Sequence, residues 1–88
     1  MPGSLSKRHA GTLSRIFTKP TPANIRWNEF AALVRAAGGE IKQREGSRVA
    51  VLLQRRTMVL HKPHPRPEIK RSTVRDIQEF FRLVGLKP

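Results

Sequence analysis

The sequence of 88 residues lacks cysteine and long apolar runs, and it has few acidic side chains. Without cysteine, disulfide bonds and thiolate metal sites are excluded, so stability must come from packing. The lack of cysteine also fits a cytoplasmic protein. No apolar run approaches the roughly 18 residues of a membrane span, and residues 1–17 show no signal-peptide pattern. A hydrophobic content of 38% suffices for one small core. We therefore expect a single domain that is not bound to a membrane.

The scarcity of acidic residues leaves a large positive charge. Eighteen Lys and Arg stand against six Asp and Glu, which gives a net charge of +12. Residues 48–71 alone hold seven basic residues and one acidic residue, Glu68, so seven minus one leaves +6. Such an excess repels itself unless a polyanion or an acidic protein offsets it. Nucleic acid is therefore the first expected partner and an acidic protein the second, while a merely solvated basic surface is the alternative.

Residues 1–24 are predicted to form an extension that contains one short helix. Leu13, Ile16 and Phe17 recur at spacings of three and four, which places them on one helical face. Two prolines then end the helix. We expect the extension either to pack on the following domain or to fray.

Residues 25–88 show the pattern of a small α+β domain. A helix is predicted from about Trp27 to Ala37, where two glycines end it. Three strands follow, and the first is predicted to be an edge strand because only one of its residues is apolar. The predicted strands are Glu40–Arg44, Arg48–Leu53 and Thr57–Lys62.

The last helix is predicted to begin near Ser72 or Thr73 and to end before Gly85. Thr73 and Asp76 have the spacing of a capping box at its start. The resulting order is α-β-β-β-α, preceded by the short helix of the extension. A three-stranded antiparallel sheet with helices packed on one face is the arrangement of the double-stranded-RNA-binding fold, and we expect this fold class.

Two histidines and three prolines come together in the stretch HKPHPRPE, residues 61–68. Each proline restricts the preceding residue to extended geometry, so a stiff, extended arm is expected after the third strand. Histidine transfers protons readily near neutral pH, which makes His61 and His64 candidate catalytic residues. Alternatively, His61 only completes the alternation of the strand and His64 only hydrogen-bonds within the loop.

The order of elements, together with GSRVAV, HKPHP and KRSTVRDIQEFFRLVGL, resembles the HicA family of bacterial toxins over roughly residues 26–87. The resemblance implies a cytoplasmic bacterial endoribonuclease, an mRNA interferase, that pairs with a HicB antitoxin. It also implies a catalytic histidine directly after Gly46-Ser47. This chain has Arg48 there instead. Arginine stays protonated at neutral pH and cannot act as a base, but it can stabilise negative charge on a phosphate.

RNA cleavage by transesterification needs a base for the 2′-OH, a group that stabilises the charged phosphorane, and an acid for the leaving oxygen. In antiparallel strands His61 would lie level with the start of the second strand, beside Arg48. The predicted catalytic residues are therefore His61, His64 and Arg48. No cofactor is expected, and a metal site at the two histidines is disfavoured because a strongly positive surface repels cations. The predicted RNA-binding residues are Ser47, Arg48, Arg55, Arg56, Lys62, Arg66, Lys70 and Arg71.

Two functions fit these residues. The first is a HicA-like toxin that binds and cleaves mRNA and is neutralised by a HicB-like antitoxin, an acidic partner that complementary charge would recruit quickly. The second is a binding module of the same fold that holds RNA or a partner protein without cutting, which Arg48 favours. A DNA-binding protein is a weaker third interpretation, because the last helix mixes Asp76 and Glu79 with its arginines.

Overall fold

The computed structural model describes residues 5–88 as three helices and one three-stranded sheet; residues 1–4 of the predicted extension lie outside the described residues. The sheet is antiparallel with the order β1-β2-β3. The predicted α+β fold class, with the order α-β-β-β-α after a first helix, is confirmed. The elements are α1 (Lys7–Ile16), α2 (Trp27–Ala36), β1 (Glu40–Gln43), β2 (Arg48–Leu53), β3 (Arg56–His61) and α3 (Arg71–Leu83).

The central strand β2 has the predicted bounds because its alternation is strong. Val49, Val51 and Leu53 are buried against the helices, and Leu60 of β3 packs beside them. β3 begins one residue earlier than predicted. Only two residues, Gln54 and its neighbour, form the connecting turn, and both have positive φ, 52° and 66°. A tight hairpin therefore forms without the glycine that such turns favour.

The helices bury one apolar face each against the sheet and against one another. Phe30 of α2 and Phe81 of α3 stack at the centre, with ring centroids 6.0 Å apart. Gly85 ends α3 with a positive φ of 77°, and Leu86 then donates its backbone N–H to the Phe81 carbonyl at 2.9 Å. The predicted glycine stop of α3 is confirmed, with Leu86 folded back into the core.

The predicted capping box at the start of α3 is wrong. The helix begins at Arg71, with Lys70 at the cap position and no side-chain hydrogen bond to the cap. The preceding residue, Ile69, is buried and donates its N–H to the Ile25 carbonyl at 2.8 Å. Because this contact fixes where the helix starts, Thr73 lies inside the helix and the carboxylate of Asp76 lies beyond its first turn, exposed.

Helix α1 packs on the other helices rather than fraying. Leu13 and Ile16 are buried, and the amide of Gln78 in α3 donates to the Ile16 carbonyl at 2.7 Å. α1 thus shares a core with the later elements, while the division of the chain after residue 24 stays a prediction. None of the helices among residues 5–88 is long and apolar enough to cross a membrane.

The segment after β3 turns back instead of extending straight. Residues 65–67 form a bend, and Glu68 bridges Arg26 just before α2. The Trp27 N–H also donates to the Pro67 carbonyl at 2.8 Å. The expected extended arm is interrupted by this bend, because the backbone hydrogen bonds join the loop to the start of α2. They draw the loop towards the start of α2 and leave a cleft beside β3.

Candidate RNA-binding cleft

The cleft has a volume of about 1090 Å³ and lies between the end of β3, the following loop and the start of α3. Both candidate histidines, His61 and His64, line it. Four of the eight predicted RNA-binding residues line it as well. These are Ser47, Lys62, Arg66 and Lys70. The fold therefore gathers two imidazoles and several cations around one concave surface, as binding sites require.

Arg48 and His61 lie directly opposite one another in the sheet. The Lys62 N–H donates to the Ser47 carbonyl at 2.8 Å, which makes those two residues a hydrogen-bonded pair. The next pair along an antiparallel ladder, Arg48 with His61, is then a non-hydrogen-bonded pair, in which side chains approach most closely. Both residues are exposed, and their register places both side chains on the outer face of the sheet.

Among residues 5–88, the His61 ring has one hydrogen-bond partner. Its Nδ1 atom lies 3.2 Å from the Ser47 hydroxyl. If the ring donates from Nδ1, then Nε2 carries a free lone pair and can accept a proton; if the hydroxyl donates, Nε2 carries the hydrogen and can give it up. In either tautomer the hydrogen bond orients the ring and leaves Nε2 for a ligand. Ser47 thus acts on the imidazole as a positioning group.

His64 follows three residues after His61, between Pro63 and Pro65. It is exposed and lines the cleft. Among residues 5–88, no hydrogen bond holds its side chain, so the alternative of a loop-bonding histidine is not observed there. The neighbouring prolines restrict the backbone on either side. A second imidazole is therefore presented to the cleft with little backbone freedom.

The four remaining predicted RNA-binding residues, all arginines, are not among the residues that line the cleft. One of them is Arg48, although its backbone pairs with that of His61 at the edge of the cleft. Arg55 and Arg56 belong to the β2–β3 turn and the start of β3, at the opposite end of the sheet from His61. Arg71 donates its Nε hydrogen to the Thr21 carbonyl at 3.1 Å, so it fastens the segment before α2. The prediction of RNA-binding residues relied on positive charge in the sequence, and charge could not distinguish these arginines from the four predicted residues that line the cleft.

The model of the HicA toxin family, described as HicA toxin of bacterial toxin-antitoxin, matches residues 27–86. This chain belongs to the HicA toxin family. It is therefore a toxin of the bacterial toxin-antitoxin kind. Membership in the family implies an antitoxin partner and, in general, an RNA target. Comparison with curated proteins and with solved structures found no match.

The matched HicA region runs from the first residue of α2 to Leu86 and contains both cleft histidines and Arg48. It leaves out α1 and the segment before α2, which nevertheless adds Ala23 and Asn24 to the cleft. Sequence reasoning missed these two residues because nothing local marks them. They reach the cleft through long-range contacts, such as the hydrogen bond of the Ile69 N–H to the Ile25 carbonyl.

Two carboxylates in the HicA cleft were also missed. Glu68 and Asp76 line it among the cations, and neither belongs to an ion pair among residues 5–88. Within the same part of the chain, no group of three His, Asp or Glu side chains is arranged to hold a metal ion. The cleft is consequently mixed in charge, with cations mostly on the β3 side and its loop, and Asp76 on α3.

Proposed function

We propose that this HicA protein is an endoribonuclease that cleaves mRNA, and that a HicB-like antitoxin neutralises it. The observation that carries the proposal is the pairing of His61 with Arg48 across the sheet. The family resemblance puts a catalytic histidine at the position that Arg48 occupies. The His61 imidazole, on the neighbouring strand, can act at the same place on the surface, since paired side chains on one face of a sheet lie about 5 Å apart.

The chemistry would be transesterification within the RNA. His61 Nε2 removes the proton from a 2′-OH while that oxygen attacks the adjacent phosphorus. The bond from phosphorus to the 5′-oxygen breaks, and His64 supplies the proton to that leaving oxygen. Arg48 stabilises the extra negative charge on the phosphorane. The products are a 2′,3′-cyclic phosphate and a free 5′-OH, and no co-reactant is consumed.

Binding of the RNA strand is proposed to rest on the cations of the cleft. Lys62, Arg66 and Lys70 are exposed and can reach phosphates without burying a charge. Such contacts release counterions and make affinity fall with salt. They fix the position of the strand but do not read its sequence.

A binding module without catalysis is the second candidate function. It is favoured by Arg48 itself, since arginine cannot replace histidine as a base. The two candidates differ in the role of His61: catalysis requires its imidazole, whereas binding through phosphates needs only cations.

The test is cleavage of a fluorescently labelled single-stranded RNA by purified protein. Wild type is expected to cut it, and His61→Ala to lose about 10²–10⁴-fold in rate, as for other general acid–base groups. His9→Ala is the matched control because His9 lies in α1, outside the cleft, and it should cut like wild type. Salt-sensitive binding without any cutting by wild type would establish the binding-module function instead.

Neutralisation needs its own test. The protein of +12 charge is proposed to bind an acidic antitoxin, since complementary charge speeds association. Co-purification with the product of the neighbouring gene is expected, and addition of that product should stop RNA cleavage. A neighbouring product that binds but leaves cleavage unchanged would contradict neutralisation without touching the enzyme proposal.

A further inference from the structure

The segment of residues 21–24, which precedes α2 and lies outside the family match, forms part of the wall of the cleft. Ala23 and Asn24 both line it. We propose that the Asn24 side chain contacts an unpaired RNA base and helps to determine sequence preference. This inference rests on the proposed RNA function and adds to it a residue for specificity.

The backbone of this segment is held from three directions. The Arg71 guanidinium donates to the Thr21 carbonyl at 3.1 Å, and the Arg15 guanidinium donates to the Asn24 carbonyl at 3.2 Å. Directly after it, the Ile25 carbonyl accepts the Ile69 N–H at 2.8 Å. A group that reads a base must be held in place before binding, and these contacts hold the main chain of Asn24.

Arg15 is itself fixed. Its Nη1 atom forms a 2.7 Å ion pair with the Glu29 carboxylate in α2. Partial burial of Glu29 opposes its ionisation, but the hydrogen bond from the Arg26 N–H, at 3.0 Å, and the Arg15 guanidinium outweigh burial and lower the pKa of this carboxyl. Glu29 therefore stays charged at neutral pH, and α1 acts through Arg15 as a support for the cleft wall.

The Asn24 side chain, in contrast, is free to bind. It is exposed, and among residues 5–88 it makes no side-chain hydrogen bond. An amide offers a donor and an acceptor next to each other, which is the pattern that base edges present. Sequence-specific RNA recognition uses such contacts to splayed, unpaired bases.

The charges of the cleft indicate where phosphates and bases would lie. The loop after β3 brings three cations to the cleft, Lys62, Arg66 and Lys70, against one carboxylate, Glu68, so this loop attracts phosphates. The carboxylate of Asp76 on α3 repels them. Asn24 is neutral and carries no charge that would hold a phosphate. We therefore assign phosphate binding to the loop after β3 and base contact to Asn24.

The experiment measures binding of four single-stranded RNAs, each rich in one base and 2′-O-methylated so that it cannot be cut, by fluorescence anisotropy at several salt concentrations. Wild type is expected to prefer one of them, and Asn24→Ala to reduce that preference about tenfold, the effect of losing one good base contact. The salt dependence of binding should stay unchanged, because no phosphate contact is lost. Asn28→Ala is the matched control, since Asn28 is exposed on α2 and outside the cleft.

Arg15→Gln tests the supporting role. It should weaken the same preference as Asn24→Ala while leaving the salt dependence as in wild type, a combination that a general loss of folded protein would not give. If wild type binds RNA and both Asn24→Ala and Arg15→Gln keep its full base preference, the inference is overturned and the proposed function stands. If wild type binds no RNA at all, the proposed function fails and this inference fails with it.

Discussion

The two ends of the sheet are both basic, yet only one of them carries the features of a site. At one end, the start of β2 and the end of β3 bring Arg48, His61 and Ser47 together beside a cleft. At the other end, Arg55 lies in the tight turn between β2 and β3 and Arg56 begins β3, and neither residue lines this cleft. We call these the cleft end and the turn end. Under the proposed function, positive charge alone does not mark the site, whereas the register of β2 and β3 determines which residues could take part in cleavage together.

The ends also differ in what holds them. The turn end depends on local backbone geometry, with two residues at positive φ. The cleft end depends on contacts between residues far apart in the chain, among them Arg71 with Thr21 and Ile69 with Ile25. Substitutions of matched residues at the two ends therefore separate three effects: that of positive charge, that of the proposed catalytic groups and that of structural support.

The largest difference is expected for cleavage. Arg48→Ala at the cleft end should slow RNA cleavage about 10²–10³-fold, because it removes a group that stabilises the phosphorane. Arg56→Ala at the turn end removes the same charge and should leave the rate nearly unchanged. Single-turnover cleavage with saturating protein measures both. Equal losses in the two variants would mean that Arg48 acts only through overall charge.

A smaller difference is expected for binding. Lys62→Ala should lower RNA affinity and reduce the slope of log affinity against log salt by about one, the loss of one phosphate contact. Arg55→Ala should change the slope by much less. The slopes come from titrations of labelled RNA over a range of salt concentrations. A comparable fall in slope for Arg55→Ala would extend the RNA path to the turn end and contradict the division between the ends.

The turn end should respond in stability rather than activity. Arg55 has a φ of 66°, a left-handed conformation that costs a residue with a Cβ about 1 kcal/mol. Arg55→Gly should raise the free energy of unfolding by up to about that amount, whereas Arg55→Ala, which loses the same charge, should not. Urea denaturation of the three proteins gives the values. A stabilised Arg55→Ala would attribute the gain to charge repulsion instead of backbone strain.

The smallest effect is expected at the support of the cleft end. Because the pKa of Glu29 is lowered in the folded protein, its contribution to stability is complete above the ordinary pKa that the group has in the unfolded chain. That contribution is lost as the pH falls through the lower, folded pKa. Glu29→Gln should therefore reduce the free energy of unfolding at pH 7 by less than about 1 kcal/mol.

The pH dependence gives the check on Glu29. Urea denaturation at pH 7 and again well below pH 4 should show the difference between wild type and Glu29→Gln shrinking in acid. Glu79→Gln is a suitable comparison, because Glu79 pairs with Arg82 at 3.6 Å on an exposed surface, and its effect should be smaller at pH 7. A difference for Glu29→Gln that persists unchanged in acid would mean that charge on Glu29 does not stabilise the fold.

Much of this architecture could be predicted because its determinants are local. The alternation of Val49, Val51 and Leu53 fixed β2, and Gly85 marked the end of α3. The start of α3 could not be predicted from its capping pattern, since the pairing of Ile69 with Ile25 decides it. The position of His61 opposite Arg48 could be predicted, because it follows from antiparallel pairing of β2 with β3. The contribution of Asn24 to the cleft could not, because it depends on contacts made only in the folded chain.

The most direct test of the central claim is chemical rescue of His61→Ala. If the His61 imidazole transfers the proton during cleavage, free imidazole added to His61→Ala should restore part of the lost rate. Added imidazole should leave Arg48→Ala as slow as before, since that variant retains His61. The account predicts a cleavage rate for His61→Ala that rises with imidazole concentration. A His61→Ala protein that cuts RNA as fast as wild type, with or without imidazole, would contradict it.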